Sequence, residues 1–92
     1  MKNTNTELCH ALALMDRARD LQDQATAATL DCLNYIEKHT EKSLRNYGTD
    51  LNYHMTLLEA IEDYINGDGY VLENSTTLEY DIKDAMNVKD YE

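Results

Sequence analysis

Residues 6–47 read TELCHALALMDRARDLQDQATAATLDCLNYIEKHTEKSLRNY, a stretch with neither proline nor glycine. Leu8, Ala11/Leu12, Met15, Ala18, Leu21/Gln22, Ala25, Ala28/Thr29, Cys32 and Ile36 recur at the spacing of one helical face. Thr4 or Thr6 is placed to cap the start, and Glu7 suits the positive end of the helix dipole. Asp16 with Arg19 at i,i+3 and Glu41 with Arg45 at i,i+4 support the outer face. From Gln22 to Thr29 the side chains are all small or polar. Two readings stay open there. One helix of about 40 residues would be about 60 Å long, more than the rest of the chain can cover, and would imply self-association. Two helices would imply a compact hairpin.

Gly48 ends this stretch and Asp50 is a candidate cap for the next helix. Leu51, His54/Met55, Leu58, Ile61 and Ile65 form an apolar stripe. Glu59 and Asp63 fall away from it at i,i+4, and Glu62 borders it. Asn66-Gly67 stops the helix and Asp68-Gly69 signals a turn. The tail has two readings. Tyr70-Val71-Leu72 is a short extended run, and Leu78, Tyr80 and Ile82 alternate, so a hairpin is possible. Against this, Thr76-Thr77-Leu78-Glu79 fits a capping box, and Leu78, Ile82, Ala85 and Met86 fit one helical face. Ala85 and the lack of turn residues favour a helix from about 77 to 88, with 89–92 fraying. The expected fold is mainly α, a single small domain over 1–92. It comprises a long N-terminal helix or helical hairpin, a second helix, a short extended segment or hairpin and a C-terminal helix, assembled as a homodimer.

Composition agrees. The chain has 92 residues, one domain's worth, and 42% are hydrophobic, enough for a small core. Leu, Ala and Met, good helix formers, far outnumber Val and Ile. Every large ring is Tyr, because Phe and Trp are absent. Cys9 and Cys32 lie too far apart on a helical stretch to bridge, which suggests reduced thiols in a cytoplasmic protein. No apolar run approaches the roughly 18 residues of a membrane span, and the polar start does not resemble a secretion signal.

Few chemistries remain. Phosphate-loop, dinucleotide, nucleophile-elbow and zincin patterns are absent. His10, His39 and His54 are not at ligand spacing from one another. A calcium-loop reading of residues 64–75 puts Tyr64 and Ser75 where Asp and Glu are required. Asn74-Ser75-Thr76 matches a glycosylation acceptor only by chance. The chain is therefore not expected to be an enzyme, or to use a metal or other cofactor.

Charge is the informative feature. The net charge is −10. Residues 1–49 hold 7 acids and 6 bases, whereas residues 50–92 hold 11 acids and 2 bases. A surface of this sign repels phosphates and anionic lipid, so neither direct nucleic-acid binding nor membrane binding is expected. It attracts basic proteins, many of which bind DNA. The candidate partner-binding carboxylates are Asp50, Glu59, Glu62, Asp63, Asp68, Glu73, Glu79, Asp81 and Asp84, with Asp90 and Glu92 behind them. A duplex carries one charge per roughly 1.7 Å, so ten charges correspond to about five base pairs. A dimer at −20 would correspond to about ten base pairs, or 34 Å. Helical rows of acids can hold such charges at fixed spacing.

The length, the start Met-Lys-Asn-Thr-Asn-Thr-Glu-Leu-Cys-His, the acidic end and the absence of Pro and Trp give a resemblance. The chain resembles the Arn family of anti-restriction nuclease proteins of T-even phages. That resemblance implies a DNA mimic in the host cytoplasm, directed against McrBC, a modification-dependent restriction nuclease. Histone-like nucleoid proteins, which also read phosphates without regard to sequence, offer a similar basic cleft. The rival reading is an acidic helical adaptor or assembly protein that docks through apolar helix faces, its acids serving solubility.

Overall fold

The computed structural model describes residues 3–20 and 25–88. Leu21 to Gln24, and Lys89 to Glu92 with Asp90, lie outside the described residues. The fold is mainly helical, and five α-helices make it up among those residues: α1 (Asn5–Asp20), α2 (Ala25–Lys38), α3 (Leu57–Ile65), α4 (Gly69–Glu73) and α5 (Ser75–Ala85). A single 3₁₀ turn, Leu44–Asn46, lies between α2 and α3.

The first half is the hairpin, not the single long helix. The Asn3 side-chain amide donates to the His39 carbonyl at 2.7 Å, and the His10 and Tyr35 rings lie 4.6 Å apart. The start of α1 therefore meets the end of α2, and the two run antiparallel. Thr4 precedes α1, and its N–H and hydroxyl both donate to the Glu7 carboxylate at 2.7 Å. Ala11, Met15 and Ala18 of α1 and Cys32 and Ile36 of α2 are buried, as their spacing predicts. After α2 the chain is tied back by Glu37, whose carboxylate accepts from the Leu44 N–H at 3.0 Å.

The second helix starts later than the apolar stripe suggests. Thr56, not Asp50, caps α3: its hydroxyl accepts from the Glu59 N–H, while the Glu59 carboxylate accepts from the Thr56 N–H. Residues 50–56 form a loop, with His54 exposed. Leu57, Ala60, Ile61 and Ile65 are buried in the middle of the molecule, where α3 contacts α1, α2, α4 and α5.

Gly67 ends α3 at φ 84°. The Asp68 N–H bonds the Asp63 carbonyl and the Gly67 N–H bonds the Tyr64 carbonyl, the paired bonds of a Schellman motif. Asn87, at φ 56°, ends α5 in the same way, with Val88 bonded to Lys83 and Asn87 to Asp84. Val88 then pairs with Asn3 in an isolated parallel bridge, so the described ends of the chain meet.

Between these two stops the expected extended run is helical. Asp68 caps α4 by accepting from the Val71 N–H at 3.2 Å, and Val71 is buried. Strand propensity in Tyr70-Val71-Leu72 yields to that cap and to burial of one side chain. The favoured C-terminal helix is present, but it spans 75–85 rather than 77–88, and Thr76 lies inside it. Leu78, Ile82, Ala85 and Met86 all face the core.

Candidate functional site

The expected carboxylates fall into three placements. At the α3–α4 corner, Glu59 and Asp68 are exposed while Glu62 and Asp63 are half-buried. Glu59 and Asp68 are held by the two caps, each at the N-terminus of its helix. Asp63 sits one helical turn after Glu59. Its carboxyl is pushed above the ordinary carboxylate range, first by burial, then by the fields of Asp68 and Glu59. These three acids are thus brought together.

The second placement is an open cleft of about 330 Å³ between the 47–53 loop and α5. Asp50 and Asp84 are exposed there, beside Tyr47 and Tyr53. Asp81 is different: it is only 8% exposed. It lies three residues after Leu78 and four before Ala85, on the inward face of α5. Its carboxylate accepts from the Asp50 N–H at 2.9 Å and from the Leu51 N–H at 3.4 Å. Burial raises its pKa above the ordinary value against those two donors, and Asp50 and Asp84 add to the rise. Asp81 is a clamp between α5 and the loop, so its share of the surface is its field rather than its atoms.

In the third placement, Glu73 and Glu79 stand exposed on α4 and α5. Glu79 lines a shallow groove with Leu8, Leu12, Tyr80 and Lys83. The structure therefore groups Glu59, Asp63 and Asp68, and separately Asp50, Asp81 and Asp84. It does not gather all nine acids into one patch.

Two features were not singled out from the sequence. The Tyr64 hydroxyl donates to the Asp16 carboxylate, and the Arg19 guanidinium lies 5.8 Å from the Tyr64 ring. Burial and that carboxylate push the Tyr64 phenol up to about 12. Asp16 is thus engaged by α3. The other feature is Tyr53, 85% exposed at the mouth of the Asp50–Asp84 cleft, its ring against His54. Tyrosines three residues to either side of Asp50 were the available signal.

Among the described residues, no group of three or more His, Cys, Asp or Glu side chains is arranged to hold a metal ion. No helix among them is long and apolar enough to cross a membrane. No family model, curated protein or solved structure matches this chain. What the molecule does must then follow from its own charge and geometry.

Proposed function

We propose that this protein is a DNA mimic that occupies the basic DNA-binding cleft of a host DNA-binding protein. One observation carries the reading: strong negative charge on a compact helical body. The described residues hold 15 acids and 6 bases, a net of −9, and the longest dimension is 36 Å. That is one net charge per 4 Å, close to the roughly 3.4 Å per phosphate of a single strand and half the density of a duplex. Two copies side by side reach one per 2 Å, near the duplex value of about 1.7 Å. The proposal therefore includes a homodimer, although the compact hairpin removes the argument from one long helix.

The target is a protein whose cleft reads phosphates rather than bases. Given the resemblance to the Arn family, the proposed target is the modification-dependent nuclease McrBC in the host cytoplasm, with histone-like nucleoid proteins as a second class. The protein acts by occupancy and performs no chemistry. Binding displaces counterions from the carboxylates as DNA binding displaces them from phosphates. Asp50, Glu59, Glu62, Asp68, Glu73, Glu79 and Asp84 supply the contacts, and Asp63 and Asp81 supply field from beneath.

The test is a competition titration of the target with duplex DNA at several salt concentrations. The protein should displace DNA, lose affinity steeply with salt, and bind no DNA itself. A ternary complex of target, DNA and this protein, or an affinity indifferent to salt, would overturn the proposal.

A further inference from the structure

We propose that the cleft between the 47–53 loop and α5 receives one arginine side chain of a basic protein partner. The inference rests on the DNA-mimic reading and names the group that is gripped at this site. The cleft holds about 330 Å³. That is the lower end of the roughly 300–1,000 Å³ of ligand pockets, so it suits a single side chain rather than a larger molecule. Its walls combine the rings of Tyr47 and Tyr53 with the carboxylates of Asp50, Asp81 and Asp84.

Three acids alone would mark only a charged surface. Two further observations point to a cation. Asp81 is 8% exposed, and a carboxylate so buried is ordinarily paired with a cation. Here it accepts from two backbone N–H groups, but the charged groups that act on it, Asp50 and Asp84, are both acids. A cation entering the cleft supplies the countercharge, and burial makes that attraction stronger than at an open surface. The second observation is Tyr53, which at 85% is more exposed than Leu30, Tyr70 or Tyr80. It stands at the mouth of the cleft with the His54 ring 4.6 Å away on one side. An open ring beside carboxylates offers its face to a cation. Tyr47 already takes the Lys42 ammonium, 5.5 Å from its ring centroid, so the open ring is Tyr53.

Shape then selects guanidinium over ammonium. A guanidinium is planar and weakly hydrated, so it can lie flat on Tyr53 while its edge donates to Asp50 and Asp84. A lysine ammonium is a compact, strongly hydrated point charge and makes less of a flat ring.

The test is a two-dimensional NMR titration of the full-length protein with millimolar N-acetylargininamide, and in parallel with N-acetyllysinamide. The arginine probe should give saturable shifts confined to amides of the 47–53 loop and of α5 around Asp84, and the lysine probe should bind several-fold more weakly. Tyr53→Ala should weaken the arginine probe roughly two- to fivefold, and Tyr53→Phe should restore it, because the ring and not the hydroxyl is used. Both variants should keep the wild-type helical circular dichroism, since Tyr53 lies outside the core. Tyr80→Ala, at an exposed tyrosine of the other groove on α5, should change nothing. Shifts spread equally over Glu59, Asp68 and the cleft without saturation would overturn the inference, as would equal binding of the lysine probe or indifference to Tyr53→Ala. Competition of the target with DNA separates the two readings. Arginine binding in the cleft without that competition would overturn the mimic and leave the cleft, whereas competition with diffuse arginine shifts would overturn the cleft and leave the mimic.

Discussion

Replacing Asp81 by Ala tests whether a carboxylate in the acidic half is there for the fold. Asp81 joins α5 to a loop 30 residues earlier through the Asp50 and Leu51 amides. That loop has other stitches: Thr49 Oγ1 donates to the Asn52 carbonyl at 2.7 Å, and the Tyr70 hydroxyl to the Leu51 carbonyl at 2.7 Å. Alanine leaves two N–H groups without their acceptor. An unsatisfied buried donor costs about 1–3 kcal/mol. The Asp50 amide is near solvent and the Leu51 bond is long, so the low end applies to each, about 2–4 kcal/mol together. Relief of repulsion from the exposed Asp50 and Asp84 returns about 1 kcal/mol. The net loss is about 1–3 kcal/mol, or roughly 5–20 °C in melting temperature for a chain of this size.

The pH dependence sharpens the test. The folded pKa of Asp81 is raised. Stability from this group is therefore fully present below its unfolded value and is lost as pH rises through the folded value. Acidifying from pH 7 toward the carboxylate range should stabilise wild type through Asp81, and the alanine variant lacks that gain. The gap between the two, followed by circular dichroism in urea, should widen on acidification. A gap that closes instead would mean that the amide donors outweigh burial. A variant as stable as wild type at pH 7 would mean that Asp81 is no clamp.

Thr56→Ala should cost about 1 kcal/mol in urea unfolding, because it removes the hydroxyl that accepts from the Glu59 N–H. In the native protein a thiol probe should label exposed Cys9 quickly and Cys32 only on unfolding; Cys32 is buried and its thiol is pushed up to about 12. Neutralising Glu73, Glu79 and Asp84 together should leave the melting temperature nearly unchanged. It should also flatten the slope of log affinity for the target against log salt by up to about 2.7, three charges at about 0.9 each. An unchanged slope would take these three acids out of the contact.

The inward faces of α1 and α2 were legible because apolar spacing survives any choice of connection. Whether the two formed one helix was not legible, since residues 25–29 suit a helix in either case. What decides is tertiary: Met15, Ile36, Ile61 and Ile82 need one another to be covered, and only a folded hairpin lets all four meet around α3. The start of α3 was misjudged because Leu51 and Met55 continue its spacing by coincidence. The capping box Thr56-x-x-Glu59 was the better signal, being a hydrogen-bond requirement rather than a pattern. Helix α4 was hidden because five residues carry little periodicity. The acidic half was legible as a charge total. Its division was not, because an inward Asp81 and an outward Asp84 differ only by α5's orientation against the core.

That division bears on how an acidic surface could imitate a phosphate array. Phosphates are held at fixed points by a covalent backbone, whereas an ordinary surface glutamate samples many rotamers. Immobilising such a side chain on binding costs about 0.5–1.5 kcal/mol, comparable to the contact it makes. Glu59 and Asp68 avoid much of that cost, because each is already bonded to backbone N–H groups at a helix N-terminus. Capping also leaves carboxylate lone pairs for a partner, since an ionised carboxylate accepts at about four positions. Asp63, half-buried between them, adds field at the same corner. The exposed acids of α4 and α5 contribute charge with no such anchoring among the bonds described. The α3–α4 corner is therefore where negative charge is most nearly pre-placed, and caps that end and begin helices for the sake of the fold are what place it.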